Sequence, residues 1–68
     1  MKNTIKINRA RLGLTQADLA VKVQVSRQTI NAMELGKYAP STILSLKLSD
    51  IFDVPVNELF MLEEGDWQ

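Results

Sequence analysis

Two short helices in tandem, each opened by its own capping residue, constrain this chain more than any other feature. They occupy Thr15 to Glu34. In Thr15-Gln16-Ala17-Asp18-Leu19-Ala20-Val21-Lys22 the Thr15 hydroxyl can accept from one of the first free backbone N–H groups of a helix. Asp18, three residues on, is a shorter version of the Glu or Gln that completes a capping box. Val23-Gln24-Val25 then breaks the pattern, and Ser26 caps a second helix reaching about Glu34. Leu19 with Val23, and Ile30 with Met33, each place two apolar side chains on one helix face. Ala20 is small enough to let the second helix cross closely, and Val25 points into the gap. Two helices, a three-residue turn and a polar second helix make a helix-turn-helix pattern.

The outer side of the second helix carries Arg27, Gln28, Asn31 and Ala32. Arginine can donate two bonds to guanine, and Gln or Asn can make a paired bond with adenine. Taken one at a time these are ordinary solvated residues of a surface helix. Their order within the whole stretch is what favours a reading surface.

The spacing Leu14-Thr15-Gln16-x-x-Leu19-Ala20, then Val25-Ser26-Arg27-Gln28-Thr29-Ile30-Asn31-x-Met33-Glu34, then Gly36-Lys37-Tyr38-x-Pro40-Ser41 resembles the Xre family of helix-turn-helix regulators. That family includes the lambda-type phage repressors and Cro, and the likeness is greatest to its small stand-alone bacterial and archaeal members. It covers roughly residues 5 to 62. It implies an all-α, five-helix, lambda-repressor-like DNA-binding domain. In the small members the first and last segments can pair as a short two-stranded antiparallel ribbon, an option left open here. The resemblance implies transcription regulation, most readily repression, by a homodimer that reads the major groove of a palindromic operator in double-stranded DNA. Arg27, Gln28 and Asn31 fall at positions where the family touches base edges. Gln16, Ser26, Thr29, Lys37 and Tyr38 fall at positions for phosphate or flanking contacts. Thr29 reads equally well as a helix-face hydroxyl, and Tyr38 as a packing residue. Ala32 stands where some members carry a base-reading side chain, so readout there is apolar at most. Two residues depart from the pattern. Gln24 replaces a glycine whose backbone is usually left-handed, at a cost on the order of 1 kcal/mol. Asn8 stands where the first helix often has Leu, which leaves the burial of that turn open.

Sixty-eight residues suffice for one domain, residues 1–68, with a marginal core. A dimer partner is the natural further source of stability, since no Cys is present to staple the fold. Without Cys or His, zinc sites of the usual type, thiol nucleophiles and Ser-His triads are excluded. The three glycines are scattered at 13, 36 and 65, so there is no phosphate-cradling loop and no cofactor is called for. The carboxylates lie mostly in the tail, consistent with solvation rather than catalysis. Met1-Lys2-Asn3-Thr4 leads into no apolar run of signal-peptide length. The longest apolar run, Leu59-Phe60-Met61-Leu62, is far too short for a membrane span. A cytoplasmic, membrane-free protein is expected.

Net charge is zero, but it is segregated. Residues 1–47 hold eight basic and two acidic residues, a net +6; residues 48–68 hold six acidic and no basic ones, a net −6. A positive half facing a polyanion and an acidic tail facing away would fit that division.

Around the central pair, Lys2–Ile5 is a candidate strand, followed by a first helix from Ile5 or Lys6 to Leu12 ended by Gly13. Ile5, Leu12 and Leu14 are its apolar contacts; Lys6, Arg9 and Arg11 read as solvated or near phosphates. Gly36 stops the third helix, and Ser41 caps a fourth running from Thr42 to Phe52 or Asp53. Its stripe of Ile43, Leu44, Leu46, Leu48, Ile51 and Phe52 reads as core. Val56–Phe60 forms a short fifth helix, Met61–Glu64 can be extended, and Gly65–Gln68 reads as a frayed end. The apolar tail residues Val56, Leu59, Phe60 and Met61 are the expected dimer interface. The alternative to a DNA reader is an antitoxin or adaptor subunit working through a partner protein, with this same tail as its docking surface.

Overall fold

The computed structural model describes residues 1–68. The elements run β1 (Lys2–Asn3), α1 (Ile5–Arg11), α2 (Gln16–Val23), α3 (Arg27–Glu34), α4 (Thr42–Phe52), α5 (Val56–Leu59) and β2 (Phe60–Met61). A 3-10 turn at Glu64–Trp67 closes the chain.

Local chemistry fixes where the helices start. The Thr15 hydroxyl accepts from the Asp18 N–H, and the Asp18 carboxylate accepts from the Thr15 N–H, both at 3.0 Å. The capping box is therefore complete despite the shorter acid. Ser26 caps α3 by accepting from Thr29 N–H, and Ser41 caps α4 by accepting from Leu44 N–H.

The ends of α1 to α4 share a left-handed turn. After α1 the Gly13 N–H donates to Ala10 and the Leu14 N–H to Arg9; after α3 the Gly36 N–H donates to Met33 and the Lys37 N–H to Ala32. This paired closure satisfies carbonyls that the helix leaves free, and it requires a left-handed residue just past the end. Gly13 and Gly36 take that conformation at φ 69° and 75°. After α2 and α4 the same role falls to Gln24 at φ 62° and Asp53 at φ 54°. Gln24 thus adopts the glycine-like turn that its position demands.

Ten residues from all five helices make one core: Ile5, Leu19, Ala20, Val23, Ile30, Met33, Leu44, Leu48, Phe52 and Leu59. Leu14, Val25, Ile51, Val54 and Phe60 pack partly against it. Asn8 is also buried, at 9% exposure. Its amide donates to the Thr4 carbonyl and hydroxyl at 2.9 and 3.0 Å, and its oxygen accepts from Arg11. An asparagine fits that turn because the start of α1 supplies its partners, which offsets the cost of burying an amide.

β1 and β2 form an antiparallel ribbon with Lys2 opposite Met61 and Asn3 opposite Phe60. So small a ribbon needs anchoring. Thr4 N–H donates to the Leu59 carbonyl at 2.9 Å, and the Asn3 amide donates to the Met33 carbonyl at 2.8 Å. The ribbon is thereby tied to the C-terminal end of α3.

Several details differ from expectation. Leu12 is largely exposed, because α1 ends at Arg11 and the chain turns away. In α4 only Leu44, Leu48 and Phe52 are buried; Ile43 and Leu46 face outward, so the apolar stripe is wider than the face that packs. α5 stops at Leu59, and Phe60 is already extended. The end is not frayed: Asp66 accepts from the Glu63 N–H, and the Met1 amino group lies 2.9 Å from Glu63 and 3.0 Å from Asp66. These bonds hold the Asp66 carboxyl below its ordinary pKa and the Met1 amine above its own.

Candidate nucleic-acid interface

Ile30 and Met33 pin α3 to the core by one face. At about 100° per residue, Arg27, Asn31 and Gln28 then span roughly 100° on the opposite side. All three are exposed. Ser26 is exposed as well, but its oxygen already caps the helix and lies 2.9 Å from the Thr29 hydroxyl. Thr29 is half-buried and held by that contact. Lys37 and Tyr38 follow Gly36 on the surface. The Lys37 backbone N–H is committed to closing α3, while its side chain makes no hydrogen bond or ion pair.

Gln16 begins α2, next to α3. Its side-chain amide nitrogen donates to Asn31 Oδ1 and to Glu34 Oε1, each at 3.1 Å. Both amide hydrogens are thus engaged, and a phosphate at this point would meet the backbone N–H groups of Gln16 and Ala17 instead. Asp18 in the same turn has a carboxyl below its ordinary pKa, chiefly through the Thr15 backbone N–H, then the Thr15 hydroxyl, with Lys22 adding attraction.

Glu34 was not among the residues singled out from sequence. It lies at the centre of the polar seam. Arg9 reaches it from α1 with Nε donating to Oε2 at 2.8 Å and a second nitrogen to Oε1 at 3.3 Å. A further Arg9 nitrogen donates to the Leu14 carbonyl at 3.0 Å. The side chains are only 16% and 7% exposed, and the pairing raises the Arg9 pKa. Arg9 is therefore a structural cation rather than a solvated or phosphate-binding one. Arg11 is likewise turned inward, donating to the Phe52 carbonyl at 2.7 Å and to Asn8. Lys47 donates to the Gln24 side chain. The positive half consequently offers Lys2, Lys6, Lys22, Arg27 and Lys37 to a partner, fewer cations than composition suggests. Two signals for Glu34 were available: it is one of only two acids in the basic half, with Asp18, and it closes the Xre-like spacing of α3.

Among the expected interface residues of the tail, Leu59 must be corrected. It is 0% exposed and belongs to the monomer's own core, because α5 turns it inward before the chain enters β2. Val56, Phe60 and Met61 are half-buried and, with Met1, Asn57 and Leu62, line a shallow apolar groove of about 700 Å³ beside the ribbon.

A capped α2, a left-handed turn and an α3 with a polar outer face define a DNA-binding domain of the helix-turn-helix class. The family model described as helix-turn-helix matches residues 5–59. The chain is 48% identical over 66 residues to the Uncharacterized HTH-type transcriptional regulator MJ0272 of Methanocaldococcus jannaschii, covering 97% of this chain and all of that one. It is 45% identical to YgzD of Bacillus subtilis, a protein of the same description, across 94% of this chain and 97% of the other. A further regulator of that description, from Archaeoglobus fulgidus, is 41% identical across 97% and 94%. The chain belongs to the Xre and lambda-repressor-like helix-turn-helix family of DNA-binding transcriptional regulators. No helix is long and apolar enough to cross a membrane.

Proposed function

We propose that the chain is a single-domain, sequence-specific repressor that binds double-stranded DNA as a homodimer. The observation that carries this reading is the division of α3: Ile30 and Met33 lock one face, leaving Arg27, Gln28 and Asn31 together on the other. Arg27 and Gln28 reach base edges in the major groove, with Asn31 beside them. Lys37, Tyr38 and the start of α2 hold the flanking phosphates. Each chain presents one recognition helix, too small a footprint for tight specific binding. A two-fold dimer places two of them about 34 Å apart on a palindromic site.

The groove beside the ribbon supports the dimer. It is apolar, all of its lining but Met1 comes from the part of the chain that has no Lys or Arg, and pairing there would add core to a small fold. Leu62→Asp tests it, because that side chain is 62% exposed and contributes little to the monomer. Sedimentation of the variant should show a monomer at concentrations where the parent is dimeric; an intact dimer would place the interface elsewhere. The DNA reading is tested by gel shift on a selected site. Gln28→Ala should weaken cognate binding by about 1–3 kcal/mol and relax sequence preference. If affinity and preference both survive, Gln28 is not a reader.

A further inference from the structure

We propose that Asn31 recognises a hydrogen-bond acceptor on a base edge, guanine O6 or N7 or thymine O4, and not adenine, because Gln16 turns its carbonyl oxygen away from the groove. The proposal rests on α3 being the reading helix and names the chemistry of one of its positions.

The orientation of an amide follows from its partners. The chain of partners starts at Arg9, which can only donate. It grips both oxygens of Glu34, whose carboxylate can only accept. The Gln16 atom 3.1 Å from Glu34 Oε1 must therefore be its nitrogen; an oxygen there would face another oxygen. The same nitrogen lies 3.1 Å from Asn31, so the Asn31 atom facing it must be Oδ1. Two acceptor-only or donor-only groups thus set the polarity of two amides in sequence.

The consequence lies at the far end. Asn31 is exposed, and its Nδ2 donates to nothing in the chain. A paired bond to adenine requires Oδ1 and Nδ2 side by side at the base edge, Oδ1 accepting from N6 and Nδ2 donating to N7. Here Oδ1 is held at Gln16 on α2, which hinders it from lying side by side with Nδ2 at a base edge, and the group with no partner in the chain is the N–H donor. In the major groove the acceptors are guanine O6 and N7, thymine O4 and adenine N7. Adenine offers that single acceptor next to its own N6 donor, which would face the Asn31 N–H groups. Guanine and thymine have no such conflict at the acceptor edge. Gln16 and, through it, Glu34 are positioning residues for this discrimination.

Selection of binding sites from a randomised duplex library, read by sequencing, tests the idea on the full chain. The position read by Asn31 is the one whose preference collapses in Asn31→Ala. In the parent that position should be guanine or thymine, favoured over adenine about fivefold, the worth of one hydrogen bond. Gln16→Ala frees Oδ1, and adenine should then rise at that position while the rest of the site is retained. Asn31→Asp, which keeps the shape and loses the donors, should shift the position toward cytosine, whose N4 donates. Adenine at that position in the parent, or no change there in Gln16→Ala, overturns the proposal while leaving the repressor reading intact. If no sequence is enriched at all, the DNA-reading function fails and this inference fails with it. Circular dichroism of each variant separates loss of fold from loss of preference.

Discussion

Replacing Arg9 by Ala probes the polar seam between α1 and α3 most directly. The substitution removes two bonds to Glu34 and one to the Leu14 carbonyl. It leaves a carboxylate whose side chain is 7% exposed, with Gln16 as its remaining donor. Removing one partner from a buried ion pair costs about 3–5 kcal/mol, whereas an exposed pair is worth about 0–1 kcal/mol. Gln16 stays in place and water can enter where Arg9 stood, so the lower end applies, about 3 kcal/mol. A domain of this size has a total stability of roughly 3–10 kcal/mol. The variant should therefore lose a large share of it, and its melting temperature should fall by roughly 12–24 °C. Urea unfolding followed by far-UV circular dichroism measures the difference. The double variant Arg9→Met with Glu34→Leu should return to within about 1 kcal/mol of the parent, since neither charge is then stranded. It should nonetheless show the altered base preference expected of Gln16→Ala, because Gln16 loses its anchor. A cost below about 1 kcal/mol for Arg9→Ala would mean that the pair behaves as a solvated one, and the account of the seam would be wrong.

Lys37→Ala should weaken cognate and random DNA alike and lower the slope of log affinity against log salt by about one; loss confined to the cognate site would contradict a phosphate role. Gln24→Gly relieves a left-handed non-glycine backbone and should raise stability by about 1 kcal/mol in urea unfolding, whereas a loss would mean that the Lys47 contact outweighs the strain. Asp18 has a folded pKa below its ordinary 3.8, so its contribution is complete above that value and disappears as pH falls through the lowered one. Unfolding midpoints titrated from neutral pH into acid should show a step below pH 3.8 that is absent in Asp18→Asn.

The helix order was legible because it rests on local chemistry. Thr15, Ser26 and Ser41 announce helix starts, and Gly13 and Gly36 announce ends, since each acts within a few residues of itself. Gln24 and Asp53 take the same left-handed role without announcing it. Only the pattern of apolar residues on both sides forces the chain to turn there, and in Gln24 the resemblance supplied the clue. The fourth helix shows the opposite error. Its apolar residues outnumber the buried ones, and spacing alone could not tell that Ile43 and Leu46 lie beyond the packed face. Leu59 was ambiguous for a related reason. An apolar residue in a short tail can serve its own core or a partner's, and the choice depends on where α5 ends.

The outer face of α3 was visible in the sequence, since burial of Ile30 and Met33 determines what points outward. What each outward side chain offers was not visible, because that depends on partners distant in sequence. Arg9 is 25 residues from Glu34, and Gln16 is 15 from Asn31. Composition counts Arg9 as a free cation and Asn31 as a two-sided amide. The fold converts the first into a structural clamp and turns the second so that its donor faces out. On the proposal made above, base preference at Asn31 is a property of three helices, with the clamp on α1, the intermediary on α2 and the reader on α3. Transferring the α3 sequence alone, which carries Glu34 with it, to another scaffold of this family that lacks counterparts of Arg9 and Gln16 should transfer the proposed contacts of Arg27 and Gln28 but not the proposed preference at Asn31.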